Sequence, residues 1–263
     1  MFRMLKLNPP HGWRAVAWEL VIVTLGVLIA LGVQQWAEKR SWTAKARSAV
    51  APIRAELSDH YAYAVEWRIV HPCMIAQIDR LQQRLAESGA TLDPAPVFRE
   101  PALGSFVLRI PVKPFPDTAW HEAVGDGVST HLNPKLRKGL GDHYIQAAVL
   151  VEIAKLNARD NQRLFTLSRR MALDPGTRLN LMQALDEFRG RAEQMDFNSG
   201  QLIGQVGKLG MKPGASKLAY VLDRSGTTQF CVRESLPLRS LADASEPIDY
   251  VYSPKIVPVP PKS

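Results

Sequence analysis

One run of apolar residues near the start of the chain has no polar face. Between Leu20 and Val33 only Thr24 is polar, so a helix here would be apolar all round rather than on one stripe. Counted over residues 18–36, such a helix is about 28 Å long, close to the roughly 30 Å of a bilayer's hydrocarbon core. Four of the six tryptophans flank the run, two on each side. This arrangement is typical of aromatic belts and predicts a transmembrane helix.

A cleaved signal peptide is the alternative interpretation of the same run. Arg3, Lys6 and Arg14 would form its basic region, and Ala30-Leu31-Gly32 is a tolerable cleavage site. The tryptophans beyond the run favour retention, because a peptide that is removed has no use for them. We therefore predict a retained anchor.

The charges that flank the run conflict over orientation. The distal flank is the more basic one, and simple counting would place it in the cytoplasm. Long domains, however, translocate largely regardless of charge. We predict a short cytoplasmic amino-terminus (1–17), an inner-membrane span (18–36) and a large extracytoplasmic domain.

Two features of the run bear on partners within the membrane. Glu19 lies at its edge, either as a carboxylate that binds a partner or a proton, or as a first-turn acid wetted by headgroups and favoured by the helix dipole. Gly26 and Ala30 form a small-xxx-small pair that would let two helices meet, which raises a homodimer as a hypothesis.

Helical spacing continues beyond the run. Apolar residues recur at intervals of three and four up to Ala64, and a heptad pattern follows up to Leu85. Pro52 predicts a kink or a helix start, and Pro72 marks a junction. We expect a long helix over 42–88, ended by Ser88-Gly89.

Residues 90–116 contain six prolines, which exclude a helix there. Phe106–Ile110 is the one strand-like piece. This segment is interpreted either as a functional loop or as a strap across the helices. If the domain is a binder, Phe106 and the nearby Trp120 are the candidate interaction residues, because exposed loops on a rigid scaffold commonly carry recognition.

The second half of the chain predicts more helices. A short one includes Trp120, and Asn133-Pro134 starts a longer one that should run to about Leu173. Asp174-Pro175 starts another, whose heptads reach Val206 and predict an antiparallel partner, most simply the 134–173 helix. Residues 217–233 fit either strands or a short helix over 215–223.

Together these patterns predict a mainly α fold, with a transmembrane helix followed by an antiparallel bundle of long helices over 42–233 and minor β or extended elements. The tail, 253–263, is rich in proline and is expected to be disordered or extended.

The cysteine count suggests a crosslink. There are two, Cys73 and Cys231, and outside the inner membrane an even count predicts a disulfide between them. The bond would tie the first long helix to the carboxy-terminal region.

Net charge adds little to the functional picture. Residues 37–263 carry 30 Lys and Arg against 24 Asp and Glu. The excess is spread along the sequence and predicts a solvated mixed surface, without a nucleic-acid-binding motif.

No motif points to catalysis, a cofactor or a metal. The histidines form no i, i+4 ligand pair, and the glycines at 200–214 lack the Walker spacing. Asp59-His60 and Asp142-His143 are adjacent pairs whose side chains diverge on a helix, and we expect solvated surface residues there. The sequence therefore predicts a protein that is not an enzyme.

The Trp18–Leu31 run, followed by Gln34-Gln35-Trp36, resembles the start of a group of uncharacterised single-pass envelope proteins of proteobacteria. The segment Thr118–Ala123, with Tyr144 in a later helix, is similar too. The resemblance implies a membrane anchor and a helical extracytoplasmic domain, and no activity. The predicted role is a structural or protein-interaction module with a protein partner in the envelope. A sensory or ligand-binding bundle that signals through a membrane partner is the alternative.

Overall fold

The computed structural model describes residues 12–100 and 104–248, and this part of the chain is mainly helical, as predicted. The first helix, α1, spans Gly12–Glu87. The other α-helices are α2 (Thr118–Gly125), α3 (Pro134–Leu164), α4 (Pro175–Lys208), α5 (Ala215–Asp223), α6 (Gly226–Arg233) and α7 (Leu241–Ser245). One-turn 3-10 helices occupy Val128–His131 and Phe165–Ser168.

Helix α1 is one continuous helix through both the apolar run and the predicted 42–88 helix. It passes through Pro52 and Pro72, so the predicted helix start at Pro52 is wrong. The lost hydrogen bond and ring clash at each proline are offset by burial beside it, since Ile53 next to Pro52 and Cys73 next to Pro72 are completely inaccessible. The helix ends at Glu87, and the predicted terminator Ser88-Gly89 follows it.

The two predicted caps are confirmed. The Asn133 side chain accepts a hydrogen bond from the amide of Lys135 at 2.9 Å. The Asp174 carboxylate accepts from the amides of Gly176 and Thr177 at 2.9 and 3.0 Å. In each case the next residue is a proline at the first helical position, where its missing N–H costs nothing.

Helix α4 packs against α1 even more extensively than against the expected partner α3. It runs antiparallel to α1, because Arg178, at its start, donates to the carbonyls of Leu85 and Ser88, and Arg54 donates to the carbonyl of Gly210 just beyond its end. Helix α3 runs in the same direction as α1. The heptad correctly marks a buried seam on α4, but the seam faces two helices instead of one.

The proline-rich segment forms three short strands in its described part, β1 (Thr91–Leu92), β2 (Phe98–Glu100) and β3 (Gly104–Phe106). Strands β2 and β3 pair as a hairpin. The predicted strand at 106–110 is wrong beyond Phe106, because Gln77 exchanges hydrogen bonds with both the amide and the carbonyl of Arg109. A side chain from α1 thus takes the place of a strand partner.

Strand β1 pairs antiparallel with β4 (Met171–Ala172), and this pairing ends α3 early. The predicted helix to Leu173 stops at Leu164. The amide of Leu173 instead donates to the carbonyl of Ala90 at 2.8 Å, and the amide of Ala95 donates to Leu167 at 2.8 Å. Tertiary pairing with the strap therefore overrides the local helical pattern.

Residues 215–233 are helical, which resolves the alternatives left open at 217–233 in favour of helices α5 and α6. The predicted disordered or extended tail at 253–263 lies outside the described residues.

The core lies where the second half of α1, α3 and α4 meet. It includes Trp67, Phe188, Met74, Leu140 and Leu150, each nearly or completely inaccessible. The sulfur atoms of Cys73 and Cys231 lie at disulfide distance, with Cα atoms 6.0 Å apart. The predicted pairing therefore has the geometry it needs, and it joins α6 to α1.

Candidate functional site

The most unusual polar group in the described chain is a pair of buried histidines between α1 and α3. His60 and His143 are both completely inaccessible to solvent. The His60 Nδ1 atom lies 2.9 Å from the His143 Nε2 atom, and the His60 Nε2 atom lies 2.7 Å from the carbonyl oxygen of Pro116. The expectation that both histidines lie on the solvated surface is therefore wrong.

Hydrogen bonding assigns the proton positions in this pair. A carbonyl only accepts, so Nε2 of His60 carries the proton that it donates to Pro116, and its Nδ1 is an acceptor. His143 must then donate from Nε2, which leaves its own Nδ1 as a bare acceptor. That atom is buried without a hydrogen-bond partner. The pair is a relay of two neutral imidazoles that ends in an unsatisfied nitrogen.

Burial keeps both rings neutral. Desolvation lowers the pKa of His60 to about 4, against a smaller opposing effect of its bond to Pro116. Desolvation, reinforced by His60, lowers the pKa of His143 to about 3. The charges of Asp59 and Asp117 raise the pKa of His60 by less than desolvation lowers it. The carboxylates of Asp59 and Asp142 pair with Lys217 and Lys138.

A carboxylate and two aromatic rings adjoin the histidines. Glu56 accepts from the hydroxyl of Tyr144 at 2.7 Å and from the amide of Ala119 at 2.8 Å, so it links α1 to both α3 and α2. The Tyr144 ring stacks on Trp120, with centroids 5.5 Å apart and planes 5° from parallel. Burial and the bond to Glu56 both raise the pKa of the Tyr144 hydroxyl. We call this cluster of five side chains the polar junction: His60, His143, Glu56, Tyr144 and Trp120.

The polar junction has the features of a structural connection rather than of a reactive centre. Among the described residues, no group of three or more His, Cys, Asp or Glu side chains is arranged to hold a metal ion. A general base must reach a substrate proton, and neither imidazole is accessible to a substrate. The junction can fix the register of α1, α2 and α3, and it can respond to protonation.

A second buried acid ties the carboxy-terminal helices to α1. Glu66 is 1% exposed and accepts from the Ser225 hydroxyl at 2.6 Å, while the Lys113 ammonium lies 3.5 Å from its other oxygen. Burial raises the pKa of Glu66, and the bond to Ser225 and the charge of Lys113 oppose that rise. Asp196 is held nearby by Arg239, at 2.5 Å, and by Arg68, at 3.5 Å.

The residues singled out in the sequence lie in four separate places. Trp120 belongs to the polar junction and is partly buried against the core. Phe106 is only 9% exposed, in contact with Phe98 and with the guanidinium of Arg109. Neither ring projects fully into solvent, and a binding role for either stays a prediction. Glu19 is exposed in the first part of α1, far along the helix from the disulfide of Cys73 and Cys231.

The histidines could have been found from the apolar spacing. His60 follows Ile53 and Leu57 at intervals of four and three, and His143 lies between Leu140 and Ala147 at the same intervals. Both positions are on the buried stripe of their helices. The adjacent aspartates concealed this signal because they suggested a solvated face.

The described part of the surface has several shallow grooves. One of about 270 Å³ lies beside the disulfide, lined by Leu81, Phe98, Val107 and Phe230, with Arg80 at its edge. Another of about 550 Å³ lies between α1 and α2.

No family model, curated protein or solved structure matches this chain.

Proposed function

We propose that this chain is a single-pass envelope protein whose helical, disulfide-closed domain acts as a structural or protein-interaction module. One observation carries the proposal. The same helix that forms the centre of the core also continues as an apolar segment with none of its most hydrophobic 18-residue window buried against the protein. An apolar surface of this length, exposed all round, needs an apolar surrounding, which a bilayer supplies.

Continuity of α1 also supports retention of the anchor. The helix has no break between the apolar run and Ala46, the first buried residue of α1. A retained helix would attach the domain to the membrane through a stiff connection rather than a loop. The domain would then be the three long helices arranged as a bundle, with the strap and α5–α7 packed around them.

Two observations support the extracytoplasmic orientation and the non-catalytic role. A disulfide such as Cys73–Cys231 persists in oxidising compartments and is rare in the cytosol. Within the described residues, the buried side chains of the polar junction connect helices to one another. An anchored scaffold that holds a protein partner fits these features better than an enzyme does.

The test of location is thiol labelling of intact cells with a membrane-impermeant maleimide, on the native chain and on a variant with Ser263→Cys. We expect residue 263 to label from outside, and Cys73 and Cys231 to label only after reduction. Labelling of all sites only after cell lysis would overturn the orientation. Intact-mass measurement of the purified protein tests retention, and a mass that lacks the first 30 or so residues would overturn the anchor.

The interaction role is tested by crosslinking in cells, followed by recovery of the full chain. Photo-crosslinking residues at exposed positions on the domain, such as Tyr220 and Ile145, should trap a defined envelope protein. The same residue placed at the buried Phe188 is the control and should trap nothing. Failure of every exposed position to trap a partner, with the domain folded and extracytoplasmic, would count against an interaction module.

The continuous α1 also favours the alternative of a sensory bundle, because a rigid helix would transmit a displacement in the domain to the membrane. The two roles differ in what a ligand does. A sensor would show a change in crosslinking between anchor helices when the domain is perturbed, whereas a scaffold would not.

A further inference from the structure

The basic excess of the domain is not spread evenly once the chain is folded. Residues 37–54 and 132–142 together carry eight Lys and Arg against Glu38 and Asp142, whereas the rest of 37–263 carries 22 of each sign. These two segments are far apart in sequence. Their combined net charge of +6 equals that of residues 37–263 as a whole. This concentration is not obvious along the sequence, because the two segments are separated by other charged residues.

An aromatic contact brings the two segments together. The ring of Trp42 stacks on His131, with centroids 4.3 Å apart and planes 11° from parallel. Since α3 begins at Pro134 and runs in the direction of α1, its first residues lie beside the part of α1 that follows the apolar run. Both basic segments therefore lie at the same end of the domain.

Three cations occupy one exposed strip of α1 at this end. Lys39, Arg40 and Arg47 line a shallow groove with Trp36 and Thr43. None of these three side chains pairs with a carboxylate within the described residues, and the Arg40 guanidinium lies over the Trp36 ring at 5.5 Å. We name these three residues the proximal cations.

Glu38 is the acid nearest the proximal cations along α1, and its carboxylate accepts from the indole N–H of Trp42 at 3.4 Å and forms no ion pair with them in the described structure. Glu122 and Asp126, from α2, line a separate groove with Lys45. Neither of these two acids lines the groove of the proximal cations. Lys135 and Arg137 at the start of α3 are also exposed and make no ion pair in the described structure.

Distance along the helix places the proximal cations next to a membrane surface. If Trp36 lies at the interface, Lys39 and Arg40 follow it by about 5–6 Å and Arg47 by about 16 Å. The headgroup layer is roughly 5–8 Å thick, so Lys39 and Arg40 lie within it. Arg47 lies about 8–11 Å beyond it, within roughly one Debye length of its charge, and its long side chain can extend toward it. A lysine or arginine near an anionic lipid surface contributes about a fivefold increase in binding.

We propose that the proximal cations bind the headgroups of anionic phospholipids in the bilayer that holds the anchor. The ligand class is a phosphodiester on a lipid, recognised by charge and by the Trp36 ring at the interface. This inference rests on the proposed membrane anchoring and adds the lipid class that the anchored protein selects. It also explains how a basic distal flank is compatible with an extracytoplasmic domain, because the flank belongs to the folded domain.

The experiment uses the full chain in detergent with an equimolar mixture of phosphatidylglycerol and phosphatidylcholine. After gel filtration, the lipids that remain bound are counted by mass spectrometry. We compare the native chain with K39Q/R40Q/R47Q and with a matched control, R80Q/R99Q/R169Q, which removes three exposed cations from the opposite end. Circular dichroism confirms that each variant is folded.

The native chain and the control should retain phosphatidylglycerol over phosphatidylcholine by at least about threefold, and K39Q/R40Q/R47Q should retain the two lipids about equally. Equal retention by the native chain, or an equal loss in both variants, would overturn the proposal. Displacement of the lipid by free glycerol phosphate would also overturn it, because the site would then recognise a soluble anion.

A separate measurement distinguishes failure of the anchor from failure of the lipid site. Native chain and both variants should float with vesicles of phosphatidylcholine alone, since anchoring depends on apolar burial and not on the cations. Absence of flotation would overturn the proposed anchoring and this inference with it. Flotation without lipid preference would overturn this inference alone.

Discussion

The two halves of α1 are one helix in two different surroundings. In the first half, Leu28 is 60% exposed and its apolar neighbours are similarly uncovered, whereas in the second half Leu57 is completely inaccessible. The first half contains the run 20–33, which is apolar on every face, whereas the second half has an apolar stripe beside charged residues. The pattern of apolar residues around the helix is therefore the basis for proposing an anchor in the first half and a core helix in the second.

The transition between the halves lies in residues 36–53. Trp42 packs on His131, Ala46 is the first buried residue, and Ile53 is the first that is completely inaccessible. The proximal cations lie in the same stretch of α1. Along α1 the sequence thus changes from apolar, to basic, to amphipathic, which is the order that the proposed anchor, the membrane surface and the folded domain would require.

The largest expected effect is a matched pair of substitutions in the two halves. Leu57→Ala should lower the free energy of unfolding of the domain by about 2–5 kcal/mol, because it leaves a cavity in the core. Leu28→Ala should change it by less than about 0.5 kcal/mol. Urea unfolding of the full chain in detergent, followed by circular dichroism, makes the comparison. Equal effects would mean that the first half packs against the domain.

The disulfide should matter only to the second half. C73S/C231S should lower the free energy of unfolding by about 2–4 kcal/mol, since the bond closes a loop of 158 residues. Flotation with vesicles should be unchanged. The native chain under reducing conditions is the control and should behave like the variant. Loss of flotation in the variant would contradict the independence of the two halves.

The polar junction should give the second half a pH dependence that the first half lacks. His60 and His143 titrate near pH 6.5 when unfolded, but their pKa values in the folded chain are about 4 and about 3. Between these values the unfolded chain binds more protons. Stability is therefore complete above pH 6.5 and falls with decreasing pH, by up to about 1.4 kcal/mol per pH unit for each histidine.

The measurement is the difference between the native chain and H60L/H143L in the slope of unfolding free energy against pH, from 7 to 4. The free energy of unfolding should change less steeply with pH in the variant than in the native chain. Other buried groups titrate as well, because burial also lowers the pKa of His71 and raises that of Glu66. Both are present in each protein, so their effects cancel. Parallel slopes would show that the pair is not neutral in the folded state.

The smallest effect concerns how helices begin. Helix α1 continues into the domain from the apolar run, whereas α3 begins within the domain, at the Asn133 cap. Asn133→Ala should lower the free energy of unfolding by about 1 kcal/mol, because the amide of Lys135 loses its acceptor. Asn133→Asp keeps an acceptor and should be near native stability. If Asn133→Asp lowered the free energy of unfolding as much as Asn133→Ala does, the side-chain cap would not be what stabilises the start of α3.

The helix starts and the mainly helical composition could be predicted because their signals are local. The cysteine pairing could be predicted because only one pairing is possible. Asn133-Pro134 and Asp174-Pro175 combine a capping side chain with a pre-set proline, and two cysteines allow one pairing. Two errors have a common cause. The end of α3 and the strand at 106–110 depend on partners distant in sequence, Ala90 and Gln77, which no local pattern reveals.

The sequence alone was enough for the apolar run, the caps and the helical periodicity, because each depends on residues within a few positions of one another. Folding was needed to join His60 to His143 across 83 residues, and to bring the start of α3 beside the basic part of α1. Both depend on which helix faces meet, and that is settled by packing of the core and not by any one segment. The polar junction, and the position of the α3 cations at the same end of the domain as the proximal cations, therefore emerge only in three dimensions.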